Sequence, residues 1–103
     1  IGPCIVSKDE IKNPHNLNIS CRVNNILKQD SNTKYQLFDI AEQIETISKS
    51  THLVPGDIIA TGTPSGVGFA RNPPEFLKDG DIVECEVEKI GKITNKVVDY
   101  SYQ

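Results

Sequence analysis

The heptapeptide LNISCRV, at residues 17–23, alternates apolar and polar side chains from end to end. A period of two is typical of a β-strand that buries one face, so this segment predicts a strand. Asn24 and Asn25 follow it directly, and asparagine tolerates the positive φ angles of a two-residue hairpin turn. We therefore expect a hairpin in which residues 17–23 pair with residues 26–29.

A second hairpin is predicted near the other end of the chain. Apolar and acidic side chains alternate over residues 83–88, and the pair Ile90-Gly91 indicates a reversal before a last strand over residues 93–98. Residues 1–16 contain glycine and two prolines with no periodic pattern, which predicts an extended lead-in.

Two copies of one turn lie between the hairpins. Residues 54–57 and residues 78–81 each end in Gly-Asp and lead into an apolar run, which we expect to be a strand at residues 58–60 and again from Ile82. Turn stabilisation is the expected role of Asp57 and Asp81.

One amphipathic helix is predicted between residue 33 and Lys49. Thr33-x-x-Gln36 has the form of a capping box, which predicts the start, and Pro55-Gly56 prevents continuation. Apolar residues recur at a spacing of three and four: Leu37, Ile40, Ala41, Ile44 and Ile47. The fold class is therefore α+β, mainly β, in one domain over residues 1–103.

Composition narrows the classes of function. The chain has 103 residues, 37% hydrophobic content and a formal net charge of −3, which leaves room for a single small domain. No apolar run reaches the roughly 18 residues that span a bilayer, and no basic cluster favours nucleic acid, so we expect neither a membrane nor a nucleic-acid partner. The three cysteines are odd in number and widely spaced, which favours a reducing compartment, and we expect the cytoplasm. The first residue is Ile1 and methionine is absent, so we expect a piece of a longer polypeptide without a secretory signal.

The glycine-rich stretch TGTPSGVG, at residues 61–68, is the strongest candidate for a binding site. Its glycines allow backbone amides to approach an anion closely, and its hydroxyls add donors, but a tight surface loop has the same composition. It lacks the lysine of a phosphate-binding loop, and a dinucleotide motif would need glycine at Arg71. A nucleophile elbow around Ser65 would need glycine at Thr63 and Val67.

Other chemically suggestive residues have simpler interpretations. Glu84, Glu86 and Glu88 lie on one strand face, where they could bind a hard cation, but a solvated acidic face gives the same alternation. His15 and His52 have no ligand at metal-binding spacing, and we expect His52 at the surface after the helix.

Two of the cysteines fall within predicted strands. Cys21 and Cys85 lie on the apolar sides of those strands, which predicts buried and inert thiols.

Six segments recur in a recognisable order: IGP at 1–3, DEI at 9–11, RVN at 22–24, QDSNT at 29–33, PGDIIATGTPSGVG at 55–68 and FLKDGD at 76–81. Together they resemble the C-terminal half of the catalytic domain of the fumarylacetoacetate hydrolase family. The resemblance is greatest to its bacterial 2-hydroxyhepta-2,4-diene-1,7-dioate isomerases and acylpyruvate hydrolases. It implies part of a mixed β-sandwich roll, in a homodimer, that binds Mg²⁺ or a similar divalent ion such as Mn²⁺ or Ca²⁺.

The resemblance also implies a function and a site. Such enzymes hydrolyse, decarboxylate or isomerise small-molecule 2-oxo and β-diketo acids, because the ion chelates the carboxylate and the adjacent oxygen and stabilises an enolate. Thr63 matches the substrate-contacting threonine of the family, and Gly62, Pro64, Gly66 and Gly68 shape the same wall.

The resemblance places the remaining machinery elsewhere. The family's metal ligands, its His/Glu pair and a lysine lie upstream of the position of Gly2-Pro3, so this chain holds no catalytic residue and no metal ligand. We therefore expect it to need the N-terminal half as its partner and to be inactive alone. The alternative is a non-catalytic β-rich binding or interaction module.

Overall fold

The centre of the molecule is a four-stranded antiparallel sheet, in a computed structural model that describes residues 1–100. β1 (Asn18–Val23) and β2 (Ile26–Asn32) form one hairpin, and β3 (Ile82–Val87) and β4 (Gly91–Lys96) form the other. The strand order is β2-β1-β3-β4, so the two hairpins meet where β1 pairs with β3. Both predicted hairpins are confirmed, although β4 begins at Gly91 and ends at Lys96 rather than spanning the predicted residues 93–98.

The first hairpin turns where the asparagine pair predicts it. Asn24 and Asn25 have φ angles of 51° and 64°, which asparagine adopts at low cost. Strand β2 runs three residues past the predicted residue 29, to Asn32.

The helix is shorter than predicted. Helix α1 spans Ile40–Ser48, and its capping box is formed by Asp39 and Glu42. Each of these carboxylates accepts a hydrogen bond from the backbone amide of the other, at 2.8 Å. The predicted start at Thr33 is therefore wrong, whereas the predicted end near Lys49 is confirmed.

The predicted capping threonine has other partners. The Thr33 hydroxyl accepts from the Leu17 amide at 2.9 Å and donates to the Pro14 carbonyl at 2.7 Å, so it ties the lead-in to the end of β2. Residues 33–35 form one 3₁₀ turn, and Leu37 lies outside the helix with 94% of its surface exposed.

The two Gly-Asp turns are built alike, as the sequence predicts. Asp57 accepts from the Val54 amide at 2.9 Å, and Asp81 accepts from the Lys78 amide at 2.8 Å. In each turn the aspartate's own amide donates back to the same residue at 3.1 Å. These reciprocal bonds confirm the expected role of both aspartates in the turns.

Residues 58–60 do not form the predicted strand. A strand needs a hydrogen-bonded neighbour, and none of the described ladders includes these residues. Ile58 is 73% exposed. The glycine-rich stretch therefore follows an irregular segment and not a strand.

Very little of the chain is buried. Within residues 1–100, Leu17 is the one buried hydrophobic residue, at 4% exposure. The accessible surface is 8442 Å², whereas a compact monomer of 11.4 kDa would expose about 5800 Å². The radius of gyration is 16.0 Å, against about 13 Å for a compact domain of this length. None of the helices described here is long and apolar enough to cross a membrane.

Candidate functional site

A β-bulge in strand β2 creates the platform for the glycine-rich loop, residues 61–68. Cys21 pairs with Gln29 and Arg22 pairs with Leu27, so Lys28 is the extra residue on β2. A bulge takes a residue out of the regular ladder and changes the direction of its neighbours. The Lys28 carbonyl accepts instead from Arg71 Nη2 at 2.5 Å.

Arg71 fastens the loop to this bulge. Its Nε donates to the Gly66 carbonyl at 3.1 Å, so one guanidinium group joins the loop to β2. Gly66 lies so close to the bulge that a Cβ built on it would be 2.2 Å from the Lys28 carbonyl oxygen. Its φ of 102° is one that glycine accepts readily. Gly68 lies as close to the backbone of Glu75. These two glycines allow the loop to pack against protein rather than against a ligand.

Gln29 orients the part of the loop that precedes Gly66. Its amide nitrogen Nε2 donates to Thr63 Oγ1 at 2.9 Å and to the Pro64 carbonyl at 2.8 Å. Because a carbonyl can only accept, the Pro64 contact fixes the orientation of the amide group. The Thr63 hydroxyl therefore accepts from Gln29, and its own hydrogen remains able to donate to another molecule.

A groove of about 1010 Å³ lies beside this part of the loop. It runs between the loop, the end of β2 and the start of α1. Its polar lining consists of neutral hydroxyl and amide groups: Ser31, Asn32, Thr33, Gln36, Gln43, Thr61, Thr63 and Ser65, with Tyr35 among the aromatic residues. No charged side chain is found among the described residues that line it. The groove thus offers hydrogen-bond donors to an anion but no counter-charge.

The predicted site residues divide between two places. Gly62, Thr63 and Pro64 line the groove, whereas Gly66 lies against the bulge and lines a second cavity of about 960 Å³. Thr63 borders both cavities.

Sequence reasoning missed Gln29, which holds Thr63, and two further residues of the site, Arg71 and Gln36. Arg71 holds the loop, but an arginine after a glycine-rich stretch carries no signal for a bond to a strand 43 residues away. Gln36 lines the groove, and its Oε1 is buried without a hydrogen-bond partner within the described residues. The capping-box pattern had assigned Gln36 to the helix.

The acidic face on β3 is less solvated than predicted. Glu84 contacts Lys92 at 2.6 Å, and its side chain is 13% exposed. Glu88 accepts from the Asn18 amide at 2.9 Å, and Glu86 is exposed. Contacts to both neighbouring strands account for the difference, since Lys92 lies on β4 and Asn18 on β1.

The two histidines lie apart. His15 Nε2 accepts from the Ile40 amide at 3.2 Å, at the start of α1, and His52 is exposed after α1 as expected. Within the part of the chain that the structure covers, no group of three or more His, Cys, Asp or Glu side chains is placed to hold a metal ion.

The expectation of buried cysteines is wrong for the described chain. Cys21 is half-buried and Cys85 is exposed. The alternation correctly places both on one face of the sheet, but the described residues do not cover that face completely.

Glu75 forms an ion pair beneath the loop. Its carboxylate contacts Lys28 Nζ at 2.5 Å and Arg71 Nε at 3.9 Å. The hydrogen bond from Lys28 is the main cause that lowers the pKa of Glu75, and the charge of Arg71 adds to it.

We expect the Glu75 carboxyl to titrate below the ordinary glutamate value of about 4.3. A lowered pKa in the folded state means that the contact contributes at neutral pH and is lost as the pH falls through that pKa. The ¹³C shift of the Glu75 carboxyl in the complete protein measures the midpoint. Lys28→Gln should raise that midpoint and Lys34→Gln should not; an unchanged midpoint in Lys28→Gln would contradict the assigned cause.

Comparison with known proteins assigns the chain to a family. The family model described as fumarylacetoacetate (FAA) hydrolase C-terminal matches residues 1–98. The mitochondrial oxaloacetate tautomerase FAHD2B of Bos taurus is 55% identical over 98 residues, which cover 95% of this chain and 31% of that protein. The chain thus spans about a third of the length of the curated relatives it matches.

Solved structures give the same assignment. Fumarylacetoacetate hydrolase from Exiguobacterium antarcticum superposes with a TM-score of 0.92 at 39% identity, covering 96% of this chain and 35% of that one. Maleylpyruvate hydrolase from Sphingobium sp. SYK-6, in complex with manganese(II) ion and pyruvate, gives 0.84 at 39% identity over 94% of this chain and 34% of that one. The sheet and helix described above are the C-terminal fold of these enzymes. The chain belongs to the fumarylacetoacetate hydrolase family.

Proposed function

We propose that this chain forms one wall of the active site of a divalent-metal-dependent enzyme that acts on 2-oxo or β-diketo acids. The observation that carries the proposal is the pair of bonds from Gln29 to Thr63 and Pro64. They fix a hydroxyl at the edge of the groove while its hydrogen stays free to donate. A fixed donor of this kind suits the carboxylate or the 2-oxo oxygen of a substrate.

The neutral lining indicates that the rest of the binding charge comes from elsewhere. A carboxylate removed from water needs a positive partner as well as hydrogen bonds. The described residues do not fit a metal site by themselves. If the complete enzyme holds Mg²⁺ or Mn²⁺, the ligands would come from polypeptide outside this chain.

The large exposed surface also indicates that this chain packs against further polypeptide. The excess over a compact monomer is about 2700 Å², which is within the range buried in permanent interfaces. We propose that the N-terminal half of the domain covers this surface and that the complete protein forms a homodimer. Sedimentation of the complete protein as a monomer alone would end the dimer proposal.

Relatives suggest the first reaction to test. The bovine protein, at 55% identity, is named as an oxaloacetate tautomerase, so we propose interconversion of the keto and enol forms of a 2-oxo acid ahead of hydrolysis or decarboxylation. A non-catalytic module is disfavoured because the named relatives are enzymes. A cytoplasmic location stays a prediction, and the name of the bovine relative instead includes the mitochondrion.

Thr63→Val should lower the kcat/KM of the complete protein for oxaloacetate tautomerisation by about 10–100-fold. A hydrogen bond to a charged group contributes about 1.5–3 kcal/mol, and each 1.4 kcal/mol is a factor of ten. The assay is run with added Mg²⁺ or Mn²⁺ and is repeated with acylpyruvates and 2-hydroxyhepta-2,4-diene-1,7-dioate. Thr51→Val is the matched control, since Thr51 is exposed beyond α1. Equal loss in both variants, or none in Thr63→Val, would remove the proposed contact.

A further inference from the structure

Two cysteine thiols face each other across the junction of the two hairpins. Cys21 on β1 and Cys85 on β3 are directly opposed in the antiparallel ladder, although 64 positions separate them in the sequence. The Cys85 thiol donates to Cys21 Sγ, and the two sulfur atoms are 3.8 Å apart. No function described above uses this pair.

The ladder gives the pair a favourable backbone geometry. At its two ends the Asn24 amide donates to the Ile82 carbonyl, and the Glu88 amide donates to the Asn18 carbonyl. Hydrogen-bonded and non-hydrogen-bonded pairs alternate along an antiparallel ladder, so Cys21 and Cys85 occupy a non-hydrogen-bonded position. Cα atoms at such positions are about 4.5 Å apart, within the disulfide range of about 4.4–6.8 Å.

The two thiols differ in exposure. Within the described chain Cys85 is exposed and Cys21 is half-buried, so the Cys85 sulfur is the more accessible of the two. Cys4, the third cysteine, directs its thiol to the Ile90 carbonyl at 3.7 Å and takes no part in the pair. Desolvation, followed by the contact with Cys85, raises the pKa of the Cys21 thiol.

We propose that Cys21 and Cys85 are a site of reversible oxidation, at which a peroxide converts the two thiols into an intramolecular disulfide. The Cys85 thiolate attacks one oxygen of hydrogen peroxide, the O–O bond breaks, and the departing hydroxide takes up a proton to leave as water. The Cys85 sulfenic acid is then attacked by the Cys21 sulfur, which loses its proton as the S–O bond breaks and a second water leaves. The two sulfur atoms together lose two electrons, and peroxide is reduced to two molecules of water.

The raised pKa of Cys21 predicts that the second step is faster at alkaline pH, because the thiolate is the attacking form. A thiol reductant reverses the reaction by attacking the exposed sulfur of Cys85 and releasing Cys21. Formation of the disulfide would close a loop that contains α1 and the glycine-rich loop.

Peptide mapping of the complete, initially reduced protein tests the proposal. The protein is treated with hydrogen peroxide near pH 8, alkylated, and digested with trypsin without reduction. We expect the peptide of residues 13–22 to be linked to that of residues 79–89, with both thiols lost in equal amounts and both regained after dithiothreitol. This measurement needs no substitution, so it does not depend on whether a variant folds.

Single substitutions provide the controls. Cys4→Ser should form the link as the parent protein does, whereas Cys21→Ser and Cys85→Ser should lose it completely. Three outcomes would overturn the proposal: both thiols still alkylated after peroxide, Cys85 oxidised to sulfinic or sulfonic acid with Cys21 still free, or a link that involves Cys4.

Discussion

Alanine in place of Gly66 should destabilise the complete protein by about 3–5 kcal/mol, or detach the glycine-rich loop from the sheet. Two costs add at this position. The φ of 102° is strained for any side chain, and the new Cβ would lie 2.2 Å from the Lys28 carbonyl oxygen. That oxygen belongs to a backbone held by the Arg71 guanidinium, so it cannot move aside without loss of the bond. Urea unfolding measures the change in free energy, and amide exchange over residues 61–71 reports detachment.

Two other glycines separate these costs. Gly62 has the same φ of 102° but nothing within 4 Å of its Cβ position, so Gly62→Ala should cost about 1–3 kcal/mol from strain alone. For Gly68 no left-handed φ is found, but a Cβ would lie 2.1 Å from the Glu75 oxygen, so Gly68→Ala isolates the clash. Equal costs for Gly62→Ala and Gly66→Ala would contradict the packing of the loop on the bulge.

The 103 residues expressed alone are expected to show no cooperative unfolding transition and no binding of oxalate with Mg²⁺. Among the residues described, one hydrophobic side chain is buried, whereas large apolar groups are exposed along the chain, including Ile5, Phe69 and Phe76. A small domain needs most of its apolar surface buried to offset the loss of chain entropy.

Urea titration followed by tyrosine fluorescence measures this, with the complete protein as the matched control. The complete protein should unfold in a sigmoidal transition and bind oxalate. A sigmoidal transition and micromolar oxalate binding in the isolated chain would show that the surface needs no further polypeptide.

Local patterns predicted the two hairpins because their signals lie within a few residues. The alternation over residues 17–23 and the asparagine pair specify the first hairpin without reference to the rest of the chain. The Gly-Asp turns are equally local, since each aspartate bonds to the amide three residues before it.

The predicted start of the helix is wrong because two sequences of capping-box form lie within ten residues of each other. Thr33-x-x-Gln36 and Asp39-x-x-Glu42 both fit the pattern, and sequence spacing does not show that Thr33 is already bound to the Leu17 amide. The predicted strand at residues 58–60 failed for a related reason, since strand formation requires a neighbour that the pattern does not identify.

The sequence predicts the glycine-rich loop of the candidate site but not the contacts that hold it in place. The glycine-rich composition identified the loop, and the family resemblance identified Thr63. The bonds from Gln29 and Arg71 join residues 34–43 positions apart, and the bulge at Lys28 depends on the register between β1 and β2. These contacts become visible only in three dimensions. The opposition of Cys21 and Cys85 likewise depends on strand register.

A crystal structure of the complete protein with Mn²⁺ and oxalate would test most directly whether the Thr63 loop forms a wall of the substrate site. Oxalate reproduces the adjacent oxygens of a 2-oxo acid. We expect Thr63 Oγ1 to lie within about 2.7–3.0 Å of an oxalate oxygen, with Gln29 still bound to Thr63. A glycine-rich loop that faces away from both the ion and oxalate would contradict the proposed function.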